Sequence, residues 1–272
     1  MKKIDSAETK RVYLTLDLGN TTLRGGIWRD GSLLSDWIID AISPDFFHVL
    51  EKKLGSIGEQ GGIDFVILSS VVPDRNSRVR RVVRDCFHRE CYSLTFETPT
   101  GMTIKYDRPE QIGADRIANS VGAYLTYGGP VIAVDFGTAI TFDVVSGDFE
   151  YLGGVIAPGL EISTSTLFQK AALLPRVKIS LPDGVLGRTT EDAIRSGVFW
   201  GTVGLVEEII RRLRDELGWG DETRFVATGG HSRLLLAQSR LIQTIDPDLT
   251  LRGLYLIARK ITPLTRFIHK SG

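Results

Sequence analysis

The 272 residues are 42% apolar and 24% charged, with 33 basic residues against 33 acidic ones. That length can bury a real core and suggests one large domain or two small ones. The charge balance gives no global pull toward nucleic acid or membrane, and no run approaches the about 18 uninterrupted apolar residues of a spanning helix, so the expected setting is cytoplasmic, with neither kind of partner.

In chain order, apolar runs at 12–16, 65–68, 131–134 and 225–227 alternate with helical patterns near 45–54, 76–87, 115–126 and 190–217, which predicts an α/β fold. The first run ends in "LDLGNTTLR". An Asp closing a strand projects its carboxylate beyond the sheet, Gly19 permits a tight turn, and Asn20, Thr21 and Thr22 offer donors in the same concavity. Oxygen ligands for a hard cation would then lie beside donors for phosphate. The same residue types are what any hairpin turn prefers.

Cys86 and Cys91 flank His88, but zinc wants about four ligands and the three other histidines are distant in sequence. Val79, Val82, Val83, Cys86 and Phe87 instead form one apolar helical face, so Cys86 reads as core. Arg75, Arg78, Arg80, Arg81, Arg84 and Arg89 make a basic cluster without interleaved aromatics, which reads as a solvated helix face. In "QIGADRIANSVGAY" a turn feeds a helix with the stripe Ile117, Val121, Tyr124 and Leu125. Asp115 at its start suits an N-cap. Arg116 opposes the helix dipole there, which a carboxylate ligand would justify, and Gly113 would allow a ligand close to the backbone.

"PVIAVDFGTAITFDVVS" at 130 repeats the plan of the first hairpin, with Asp135 in the place of Asp17. The duplication predicts two related lobes facing each other, 11–126 and 130–265, hinged near "TYGGP". A turn needs no twin, whereas a nucleotide held between two lobes needs a phosphate-binding hairpin from each. In "FVATGGHSRLL" a strand runs through Thr228, Gly229 and Gly230 into a helix, where the glycines would let backbone approach a base or sugar. Neither the P-loop nor the Rossmann glycine pattern occurs. Gly153 to Leu160 reads as a buried segment without a catalytic role, and Val203, Val206, Ile210, Leu213 and Leu217 form a stripe suited to core or dimer seam.

"DLGNTTLR", "YDRPEQIGADRIANSVGAY", "VDFGTAITFDVV", "YLGGVIAPGL", "GRTTEDAIRSGVFWGTVG" and "ATGGHSRLL" resemble, in order and spacing, the type III pantothenate kinases over nearly the whole chain beyond Arg11. The resemblance implies an acetate and sugar kinase/Hsp70/actin-like fold of two ribonuclease-H-like lobes with a cleft between them, forming a homodimer. It implies ATP-dependent phosphorylation of pantothenate, magnesium accompanying ATP, and a potassium or ammonium ion. By the same resemblance Asp115 is the general base. Asp17, Leu18, Gly19, Asn20, Thr21, Thr22, Leu23 and Arg24 form the first phosphate loop, with Asp17 toward magnesium. Thr138 contacts ATP, to which our own reading adds Gly229 and Gly230, and Asp135 holds the monovalent cation. Tyr106, Gly113, Ala114, Asp115 and Arg116 meet pantothenate, as does Thr190 from the partner subunit, although Thr189 or Thr190 also reads as a helix cap. Arg24 replaces the lysine common in that loop. Two alternatives stand beside this: a non-catalytic transcription accessory factor on the same scaffold, and a sugar or acetate kinase, against which the Tyr106 to Arg116 segment argues.

Overall fold

The computed structural model describes residues 11–170, 174–236, 238–242 and 244–268. Its elements are β1 (Val12–Leu18), β2 (Thr22–Arg29), β3 (Ser32–Asp40), α1 (Phe46–Gln60), β4 (Phe65–Ser70), α2 (Pro73–Phe87), β5 (Cys91–Ser93), β6 (Thr103–Ile104) and α3 (Ala114–Tyr127). There follow β7 (Val131–Phe136), β8 (Ala139–Val145), β9 (Glu150–Pro158), α4 (Leu160–Lys170), α5 (Thr190–Leu217), β10 (Arg224–Thr228), α6 (Ser232–Leu236), β11 (Thr244–Ile245) and α7 (Leu249–Ile268). All four expected strands and all four expected helices are present.

Two compact units form, one from the described residues within Met1–Gly101, Arg108–Gly122 and Thr250–Gly272, the other from Met102–Asp107 and Ala123–Leu249. The first holds a sheet of order β3-β2-β1-β4-β5, the second one of order β11-β10-β7-β8-β9-β6. Their plans coincide. β1 pairs antiparallel with β2 and parallel with β4, as β7 pairs antiparallel with β8 and parallel with β10. The duplicated sequence is thus a duplicated ribonuclease-H-like sheet, with β6 added at the edge of the second.

In the first unit Leu14, Leu16, Leu18 and Leu23 pack with Phe46, Leu50 and Leu54 of α1 and Val79, Val82 and Val83 of α2. The other face of that sheet carries Trp28, stacked on Tyr255 of α7 at 4.9 Å, its indole N–H donating to Thr15 Oγ1 at 3.0 Å. In the second unit Ile132, Val134 and Phe136 pack with Phe199, Val203, Val206 and Ile210 of α5, and Leu213 and Leu217 lie against them. The α5 stripe is therefore core. Gly153 to Leu160 corrects the expectation of a buried segment: up to Pro158 it is an alternating strand, with Ala157 buried and Ile156 63% exposed. Leu125, expected on the apolar stripe of α3, is likewise exposed.

Cys86 and Phe87 pack against the first core and Cys91 lies inside it, where burial pushes its thiol up to about 12, so it stays protonated. Four of the clustered arginines have partners within the unit. Arg75 donates to the Ala41 carbonyl, Arg78 stacks on Phe47 at 3.9 Å, Arg84 Nε binds Glu90 at 2.9 Å and Arg89 reaches the Ile63 carbonyl at 3.4 Å.

α7 meets α3 where Gly253 lies against the backbone of Ala118, leaving no room for a Cβ. Alanine in a helix interior gains up to about 1 kcal/mol over glycine, but overpacking costs about 1–3 kcal/mol, and here the obstacle is backbone that cannot rotate away. Gly253→Ala is expected to lower the denaturant midpoint; an unchanged or higher midpoint would contradict this packing.

Candidate active site

In the first unit β1 ends on Asp17 and Leu18, and the Gly19 N–H closes the turn on the Thr22 carbonyl at 2.9 Å. The Thr21 carbonyl accepts from the Ala41 N–H at 2.8 Å, which ties the turn to the end of β3. Leu18 and Leu23 are wholly buried, so this loop can offer a ligand only their backbone groups, whereas Asn20 and Thr22 are exposed. Asp17 lies directly opposite Arg24 on one side and beside Ser69 of β4 on the other. Arg24 Nη2 donates to Asp36 Oδ2 at 2.7 Å.

The helix α3 starts beside this strand end. Val71 bridges the two: its N–H donates to the Leu18 carbonyl at 3.1 Å, and its Cγ1 lies 3.6 Å from where a Cβ on Gly113 would be. Gly113, not Asp115, holds the cap position, since its carbonyl accepts from Ile117 N at 3.2 Å. Asp115 sits within the first turn, and its Oδ1 accepts from the Arg116 N–H at 2.8 Å. A side chain at Gly113 would collide with that carboxylate, so glycine there lets Asp115 keep its place. Ala114 is buried and Arg116 is only 6% exposed.

In the second unit Asp135 occupies the corresponding penultimate strand position, opposite Thr141. It is hemmed by glycines. Its Oδ1 lies 3.6 Å from where a Cβ on Gly137 would be, and a side chain on Gly229, at φ 88°, would strike both that oxygen and the backbone of Phe136. Gly159 presses equally closely on the carbonyls of Gly137 and Thr138. The structure thus gathers Asp135, Thr138 and Gly229, with Gly230 next in chain and the His231 N–H on the Phe136 carbonyl at 3.4 Å. Tyr106 lies apart from that turn, its ring 6.0 Å from Tyr151 and packed over Gly153. Thr189 takes the cap of α5, its Oγ1 accepting from Asp192 N at 3.1 Å, while Thr190 is exposed as the first helical residue.

Asp36, Ser69 and Gly159 were not singled out from the sequence. Ser69 is wholly buried beside Asp17, with no hydrogen-bond partner for its hydroxyl among the described residues. Only strand pairing reveals this; "ILSSVVP" by itself carries no such signal.

Burial raises the Asp115 carboxyl above its ordinary 3.8, against the opposing pull of the Arg116 N–H and charge. The unfolded chain therefore ionises first, and the stability this group allows is present below its ordinary value and lost as pH rises through the raised one. Asp115→Asn, which cannot ionise, is expected to melt higher than wild type at pH 7, with the difference shrinking as pH falls toward 3.8. Equal melting at pH 7 would contradict the desolvation.

Residues 13–212 match the protein family described as Type III pantothenate kinase. A type III pantothenate kinase from Koribacter versatilis (strain Ellin345) is 43% identical over 273 residues, covering 94% of this chain and 98% of that one. Among solved structures, a Campylobacter jejuni protein assigned to the Baf family of transcriptional activators aligns with a TM-score of 0.59 at 20% identity, over 91% of this chain and 98% of that one. The activator of 2-hydroxyisocaproyl-CoA dehydratase from Clostridium difficile, with ADPNP bound, gives 0.52 at 13% identity, over 96% and 98%. These two likenesses speak for the fold alone, which is of the actin, Hsp70 and sugar-kinase type. Sequence identity and the family match carry more: the chain belongs to the type III pantothenate kinase family.

Proposed function

We propose that this protein transfers the γ-phosphate of ATP to pantothenate, giving 4'-phosphopantothenate and ADP, the first step toward coenzyme A. One observation carries the reading within this family: the carboxylate of Asp115 is partly withdrawn from water in the first turn of α3, which raises its pKa toward the range of a useful general base. The substrate hydroxyl oxygen attacks the γ-phosphorus as its proton passes to Asp115, and the bond from phosphorus to the ADP oxygen breaks. Such loose phosphoryl transfer depends chiefly on position and charge neutralisation, which few residues can supply.

The Asp17 to Arg24 hairpin, Thr138, Gly229 and Gly230 are assigned to ATP, with Leu18 and Leu23 acting through backbone alone. Tyr106, Gly113, Ala114 and Arg116 are assigned to pantothenate, whose carboxylate a guanidinium can hold bidentately. Among the described residues no three His, Cys, Asp or Glu side chains converge on a metal site. A cation here would lean on one carboxylate together with backbone, water and phosphate oxygens, which suits hard ions. Asp17 would hold the magnesium that accompanies ATP and offsets its charge. Asp135, whose carboxylate lies against the backbone of Gly137 and Gly229, would hold potassium or ammonium.

A homodimer is supported by apolar side chains on the second unit, Ile156, Ile162, Leu181, Val185 and Leu186, the last two 72% and 81% exposed. Exposed Thr190 follows them closely in sequence, which supports its contributing to the partner's site. Among the described residues no helix is long and apolar enough to cross a membrane, which fits a cytoplasmic enzyme.

The test is coupled measurement of ADP release. Turnover is expected to need pantothenate, to be strong in potassium and weak in sodium, and to fall about 10²- to 10⁴-fold in kcat with Asp115→Asn. Absence of pantothenate-dependent turnover in potassium would sink the function, whereas an unimpaired Asp115→Asn would remove only the base. Sedimentation at the monomer mass at micromolar concentration would remove the dimer.

A further inference from the structure

The ladder of the first sheet fixes three charged neighbours. Asp17 and Arg24 are directly opposed in the antiparallel β1–β2 pair, so their side chains share one face. Arg24 is in turn opposite Ile38 on β3, while Asp36 is opposite Gly26. Asp36 is therefore a diagonal neighbour on that same face, one strand further from Asp17 and two residues further from the β1–β2 turn. The guanidinium leans that way: Nη2 donates to Asp36 Oδ2 at 2.7 Å, the Arg24 side chain 24% and the Asp36 side chain 44% exposed.

A bulge makes the meeting possible. Asp30 and Gly31, with φ of 51° and 85°, close β2 onto β3 as a two-residue turn, and Arg29 pairs with Ser32 and Trp28 with Leu33 as such a turn dictates. Continued without interruption, that register would set Asp36 opposite Gly25, on the face packed with α1 and α2. Instead Ile27 pairs with Ser35, Leu34 is the extra residue, and every side chain from Ser35 onward changes face. Trp37 then covers Gly25 on the core side, and Asp36 arrives beside Arg24.

We propose that Asp36 competes with nucleotide phosphate for Arg24. Asp36 is a resting partner that draws the guanidinium toward β3, and a polyphosphate entering the Asp17 to Arg24 hairpin takes the guanidinium over. This rests on the ATP role assigned above to residues 17 to 24. A polyphosphate is the stronger partner, because it offers more charge and bidentate oxygen pairs. A half-exposed carboxylate holds an arginine only weakly, so its competition is worth about two- to fivefold in affinity.

The experiment is calorimetric titration of the full chain with MgATP at low ionic strength and without pantothenate. It compares wild type, Asp36→Asn, Asp36→Ser, Arg24→Gln and the double variant Arg24→Gln/Asp36→Asn. Both Asp36 variants are expected to bind about two- to fivefold more tightly than wild type, and Asp36→Asn to change nothing once Arg24 is Gln. Unchanged or weaker binding in the Asp36 variants overturns the proposal. So does equal tightening in the Arg24→Gln background, which would mark a general charge effect rather than one exerted through Arg24. Because binding is read without pantothenate, a chain that binds MgATP but does not phosphorylate pantothenate loses the kinase reading alone, and the Kd ratios still decide this one. A wild-type chain that binds no MgATP overturns both.

Discussion

Side chains alternate across a β-strand, and in this protein that period of two decides where each charged group at the strand ends can sit. Leu14, Leu16 and Leu18 enter the core with α1 and α2, so Asp17 has to face the other way; Ile132, Val134 and Phe136 impose the same on Asp135. A carboxylate is thereby presented at the end of a fully packed strand without carrying charge into the helix-covered core, where an ion would cost several kcal/mol. The turn residues follow from the same constraint. Gly229 is bare because the Asp135 oxygen and the Phe136 backbone occupy the space its side chain would need.

Asp115 answers a different requirement. As the proposed base it must be near its substrate and partly shielded from water, yet burial disfavours the ionised form it would work in. The first turn of α3 balances these demands. Arg116 supplies an N–H to Oδ1 and a positive charge close by, each favouring the carboxylate, and burial still outweighs both. Gly113 completes the arrangement by leaving the carboxylate room against the backbone. The sequence GADR thus packs a spacer, a half-buried carboxylate and a counter-charge into the start of one helix.

Periodic features were legible in the sequence. The strands at 12 and 131 and the helices at 76, 115 and 190 follow from local apolar spacing, and the twin of the first hairpin was visible as a repeated Asp-x-Gly after an apolar run. Non-local features were not. The helix α7 was not among the expected elements, and its contact with Trp28 exists only once the chain has closed on itself. Ser69 beside Asp17 depends on the β1–β4 pairing. Asp36 is the sharpest case: the Asp-Gly turn at 30–31 predicts a register, and one extra residue in β3 reverses the face on which Asp36 falls. Thr189, not Thr190, caps α5, a choice that two adjacent threonines leave open until geometry is known.

The two hairpins share a ladder but differ in what the ladder sets across from the aspartate. Opposite Asp17 stands a cation, Arg24, and the turn beyond it exposes Asn20 and Thr22. Opposite Asp135 stands neutral Thr141, and the turn beyond it is pressed by the backbones of Gly159 and Gly229. An arginine across the strand puts a positive charge beside the first turn, and Asp36 on β3 sets a negative one within its reach. With neutral Thr141 across the strand, the ladder sets no opposing charge against the second carboxylate. Duplication supplied two equivalent carboxylates, and what the ladder sets opposite each one differs: a guanidinium for Asp17 and a hydroxyl for Asp135.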